Sequence, residues 1–129
     1  MRMLQVLGRA RDAAATVADT LAIAETPGNT ALLALVHQVA AQLYAWTGPA
    51  SVAREHGMRA LSLAAACHDG EIAWAALWAM AMLEGFTGDA RGVTRHIDEA
   101  QEIADAFALP ELQAMTAEIA IEHASVGGR

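Results

Sequence analysis

Lysine is missing from this 129-residue chain, and cations of any kind are few. Eight arginines stand against fifteen Asp and Glu, for a formal charge of −7. Such a surface lacks the basic stripe that neutralises phosphates, so nucleic-acid binding by this segment is not expected. Cysteine occurs once, at Cys67. No internal disulfide can form, and a reducing compartment, the cytoplasm, is the expected setting. No basic-then-apolar leader precedes residue 20, so no secretory signal is expected. Long apolar runs are lacking too. The longest, Ile72 to Leu83, is about a dozen residues against the ~20 of a membrane span, and reads as a buried helix between Glu71 and Glu84.

Chemical motifs are equally scarce. There is no G-x-x-x-x-G-K-[ST] loop, no H-E-x-x-H, no close Cys/His set and no helix-turn-helix with arginines on a recognition helix. Cys67-His68-Asp69 holds the residue types of a nucleophilic triad, but neighbours on one backbone point in different directions. Asp69 has a simpler use as a helix cap. No catalytic residue, metal or cofactor is expected. Alternating Val/Thr/Tyr segments bounded by turns are absent as well, which excludes strands.

What is present is alanine, which supplies much of the 55% hydrophobic content and favours helices that approach closely. The chain reads as all-α and as one domain, residues 1–129. Its organisation shows in "WTGPASVAREH" (Trp46 to His56) and "FTGDARGVTRH" (Phe86 to His96), which lie forty residues apart. Gly8, Gly48, Gly88 and Gly128 keep that register, as do Ala24, Ala64 and Ala104, and Ile23, Leu63 and Ile103. Turns are therefore expected near 8, 48, 88 and 128, with breaks near 27–29, 68–70 and 109–110. Between them, helices are expected over Arg9 to Glu25, Thr30 to Trp46, Pro49 to Cys67, Gly70 to Phe86, Ala90 to Ala108, and Pro110 to about Val126. Asn29, Asp69 and Asp89 are the expected N-caps.

A helix pair of this size cannot bury its apolar face alone, so such pairs stack. The Gly-Asp/Pro turn followed by an alanine-lined second helix resembles the tetratricopeptide repeat. The spacing exceeds that family's usual length of about 34 residues. The resemblance is nearest to the long tetratricopeptide-like repeats of bacterial LuxR/MalT-type transcription regulators. It implies a right-handed α-α superhelix of about three antiparallel hairpins, standing alone or as a piece of a longer array. It also implies that the first helix of each hairpin lines a concave groove. Carrying the period along that face gives Gln38 and Gln42, then Trp78 and Met82 with Trp74 one turn earlier, then Glu118 and Glu122. Each main pair is spaced i,i+4 and shares one side of its helix.

The leading expectation is a non-catalytic module that takes a protein, a peptide or a small effector in this groove, with no membrane partner. One alternative is a self-associating domain, a homodimer that hides uncapped ends. Another is a small all-α enzyme using His37, His68 or His123 with a carboxylate. The recurring His56 and His96 are expected to be structural. The pairs Glu55/Arg59 and Arg95/Glu99 read as solvated i,i+4 faces.

Overall fold

The computed structural model describes residues 3–24 and 29–127. The helices are α1 (Met3–Ala24), α2 (Thr30–Thr47), α3 (Ala50–Ala66), α4 (Gly70–Thr87), α5 (Ala90–Ala106) and α6 (Pro110–Gly127). No strand occurs among the described residues. None of the described helices is long and apolar enough to cross a membrane.

Local chemistry sets most boundaries. The Asp69 carboxylate accepts the Ile72 N–H (3.0 Å) and starts α4, and Asp89 accepts the Gly92 N–H (2.9 Å) and starts α5. Each satisfies one of the free donors in a first helical turn. Pro110 is the first residue of α6, where a missing N–H costs nothing. Gly88 closes α4 in the left-handed region (φ 82°, ψ 15°). Gly48, ahead of Pro49, has φ 71° and ψ 169°, a region essentially closed to residues with a Cβ.

Two expectations need correction. Gly8 marks no turn: α1 runs through it without interruption. A lone glycine inside a helix costs about 1 kcal/mol, and at Gly8 neither proline nor aspartate follows to break the helix or cap a new one. Asn29 makes no side-chain capping bond to α2. Glu55, Arg59 and Arg95 are exposed and Glu99 is half-buried, in keeping with solvated faces, and the ion pair among the described residues is Arg54–Glu84. The expected break at 27–28 and the turn at Gly128 lie outside the described residues.

The α3–α4 and α5–α6 turns were expected as breaks, but their geometry was not foreseen. His68 (φ 54°) and Ala108 (φ 50°), forty residues apart, both take left-handed backbone without being glycine. Around them the same bonds recur: Asp69 N–H to Ala64 O (2.9 Å) and Leu109 N–H to Ala104 O (3.0 Å).

Small residues decide the packing. The buried face of α3 is Ala53, Gly57, Ala60 and Ala64, a stripe with helical spacing. A Cβ on Gly57 would stand 2.8 Å from Met80 Cγ and 3.8 Å from Ala41 Cβ, so α2, α3 and α4 meet closely at this glycine. Cα atoms of α2 and α4 come within 8 Å of each other. Among the described residues, no Cα of α4 comes within 8 Å of a Cα of α6. Trp74 and Trp78, stacked at 6.0 Å between ring centroids, project from α4 near this wider junction. Leu112 of α6 packs against the same cluster.

Nothing lies within 4 Å of a Cβ added to Gly88, so its replacement tests the backbone alone. Ala108→Gly is expected to raise unfolding stability by about 0.5–1 kcal/mol, because relief of left-handed strain exceeds the added unfolded-state entropy. Gly88→Ala is expected to lower it by about 1 kcal/mol or more. Urea titrations check both; the same sign for the two variants contradicts the assignment.

Candidate functional site

The wide α4–α6 junction carries a polar clamp. Trp74, 7% exposed, donates its Nε1–H to Thr116 Oγ1 at 2.8 Å. The Thr116 hydroxyl in turn donates to the Leu112 carbonyl. A buried indole N–H finds its partner on the opposite helix, which fixes where α6 sits.

Clefts open on both sides of this clamp. Toward the start of α6, a cavity of about 570 Å³ is lined by residues including Glu71, Trp74, Ala75 and Leu112. Toward its end, a cavity of about 430 Å³ lies between α4, α5 and α6, walled by Trp78, Met82, Val93, Ile97, Ile119, Glu122 and His123 among others. A third space of about 580 Å³ between α5 and α6 shares Ala90, Ile97 and His123 with it and adds Arg91, Thr94 and Asp98.

The structure brings Trp78, Met82 and Glu122 together in the 430 Å³ cavity. The other expected groove residues are placed elsewhere. Gln38 is 6% exposed within the helix packing, and Gln42 is half-buried on α2. Neither is among the residues lining that cavity. Trp74 belongs to the core cluster with Leu77 and Met80 and lines the 570 Å³ cavity, not the 430 Å³ one. Glu118 is exposed one turn before Glu122 and does not line the cavity. The continuous face expected from α2 to α6 thus contracts to one site at the last hairpin. Val93, Ile97 and Ile119 were not singled out from the sequence, and His123 was named only as a candidate acid/base and not as a groove residue. The one signal for them was the i,i+4 spacing of Val93 and Ile97 on a second helix, which looked like ordinary core.

His123 is the histidine of this region. Its Nε2 lies 2.8 Å from Thr94 Oγ1, and Thr94 Oγ1 donates to the Ala90 carbonyl at 3.1 Å. A hydroxyl has one proton. With that proton on Ala90, the His123 ring is the donor, the reverse of the polarity by which a base activates a nucleophile.

Polar ties elsewhere join neighbouring helices. Glu84, 5% exposed, pairs with Arg54 at 3.5 Å, and its backbone carbonyl accepts the Asp89 N–H at 2.8 Å. The Gly92 N–H holds the Asp89 carboxyl below its ordinary value; burial opposes this, and Glu84, Arg95 and His96 add to it. His37 and His56 meet Nδ1 to Nδ1 at 2.9 Å, and Tyr44 stacks on His56 at 5.6 Å. His96 occupies the register position of His56, and Leu77 that of His37. An apolar residue at the position of the first hairpin's partner accounts for the buried His96 Nδ1 having no hydrogen-bond partner among the described residues. No group of three or more His, Cys, Asp or Glu among the described residues can hold a metal ion.

No protein-family model, curated protein or solved structure matches this chain.

The histidine pair predicts a pH dependence. Burial lowers the His56 imidazole from its ordinary value of 6.5, against a smaller upward pull from Glu55. Below that value the unfolded chain binds the proton more readily than the folded one. Stability is therefore full above about pH 6.5 and declines as pH falls past it, until folded His56 protonates in turn. Protonating both rings would also set two N–H donors face to face. The urea midpoint is expected to drop as pH is lowered from about 7.5 to about 5.5, and less steeply in His56→Gln. Equal slopes in the two proteins would contradict this reading.

Proposed function

We propose that this chain is a non-catalytic binding module of tetratricopeptide-like hairpins, whose site is the cavity between α4, α5 and α6. The observation that carries the reading is the convergence of Trp78, Met82 and Glu122 from two helices onto one concave space of about 430 Å³. Binding sites are typically concave, mostly apolar, and equipped with a few oriented polar groups. Two features support a repeat architecture: glycine turns at 48 and 88, and left-handed turns at 68 and 108, each pair forty residues apart. On this reading the helices form a right-handed superhelix of about three hairpins. The module senses an effector or partner in the cytoplasm for a transcription regulator of the LuxR/MalT type.

Amide chemical shifts recorded against a panel of peptides and small organic molecules test the site. Responses are expected to cluster on Met82, Val93, Ile97 and Ile119. Trp78→Ala and Met82→Gln are each expected to weaken binding about tenfold, a loss near 1.4 kcal/mol. Responses confined to other surfaces, or folded variants that bind normally, count against it.

Self-association is the second reading, and it has its own observation. Trp46 (71% exposed) and Phe86 (57% exposed) meet edge-to-face at 5.1 Å, at the ends of α2 and α4. Leu32, Leu35 and Val39 continue the exposed side of α2. An apolar strip of this kind suits a two-fold contact, although like net charges oppose it. Sedimentation of the intact protein and of Trp46→Ser at micromolar concentration decides the matter. A dimer that Trp46→Ser dissociates supports this reading; a monomer throughout removes it.

A further inference from the structure

We infer that the occupant of the α4–α5–α6 cavity is a small amphiphilic organic cation, an ammonium head on a short hydrocarbon body. This deepens the binding reading above and rests on it. The volume of about 430 Å³ falls within the range of small-molecule sites and is too small for a folded partner element. A further helix, ~10–12 Å across, has no lane here, because α6 itself closes that side.

The lining chooses the chemistry. Trp78, Met82, Ile97 and Ile119 give an apolar floor, and a thioether adapts to irregular hydrocarbon shapes. Glu122 is the one formally charged residue among those lining the cavity, and it stands exposed at the rim. Glu118 lies one turn away on the same helix, and the chain as a whole carries −7. No arginine lines the cavity to receive an anion. Trp78 adds an aromatic ring that attracts cations, held in place by its stack on Trp74 at 6.0 Å. His123 is already engaged with Thr94 through Nε2. The arrangement therefore seats a hydrocarbon on the floor and a positive head between the indole and the Glu122 carboxylate. An anion of the same shape would meet the Glu122 carboxylate and no arginine among the residues that line this cavity.

Three probes of equal tail length test this on the intact chain: hexyltrimethylammonium, 1-hexanol and hexanoate, followed by calorimetry and by the Trp78 indole and Met82 methyl resonances. The ammonium probe is expected to bind about five- to tenfold more tightly than hexanoate. In Glu122→Gln that preference is expected to shrink to about twofold or less, with 1-hexanol binding unaltered. Glu122 is exposed, so its replacement leaves the packing intact, which a thermal melt verifies. Equal binding of ammonium and carboxylate, or a preference that survives Glu122→Gln, overturns the cationic class. If all three probes still move the Trp78 and Met82 signals, the binding site stands without that class. Silence of both signals with every probe overturns the site and the class together.

Discussion

The seat of α6 against α4 depends on one buried hydrogen bond, from the Trp74 indole to the Thr116 hydroxyl. A buried N–H left without an acceptor costs on the order of 1–3 kcal/mol, so the clamp fixes the last helix more sharply than apolar contact would. The second indole, Trp78, stacks on the first. Together they bridge a junction across which the backbones do not approach. Because the clamp acts at one level of the helix pair, clefts remain above and below it.

The contrast with the preceding junction is one of residue size. Around Gly57, small side chains let α2, α3 and α4 close onto one another, leaving Met80 to fill the seam. Forty residues on, Ile97 stands in place of Gly57, and Ala120 in place of Met80. Bulk has moved from the first helix to the second. The seam that is filled in one hairpin becomes the 580 Å³ space between α5 and α6 beside the other, bordered by both Ile97 and Ala120, and Ile97 also walls the adjoining 430 Å³ cavity. Binding capacity on this account comes from an inexact repetition. Polar residues follow the same rule: the His37–His56 contact has no counterpart at Leu77 and His96.

Helix boundaries were legible because proline and aspartate punctuate them. Asp69, Asp89 and Pro110 each mark a helix start by a local mechanism that needs no tertiary information. Gly8 misled because glycine without such a follower is only a weak helix breaker. The left-handed turns at His68 and Ala108 carried no glycine signal, so their conformation could not be read. For the site, the i,i+4 pairing of Trp78 with Met82 was visible, and so was the acidic Glu122. Their convergence was not. It depends on how far α6 stands from α4, a distance set by Trp74 reaching Thr116, and no periodicity within one helix encodes a bond between two. The same limit hid the Arg54–Glu84 pair, which joins α3 to α4.

The most direct test of this account is hydrogen exchange at the three tryptophan indole N–H groups, each giving its own resonance. Trp74 is predicted to exchange slowest, Trp46 at nearly the rate of a free indole, and Trp78 between them. A Trp74 indole exchanging as fast as that of Trp46 would mean that the Thr116 clamp does not hold in solution. The cavity and the site derived from it would then have no fixed third wall.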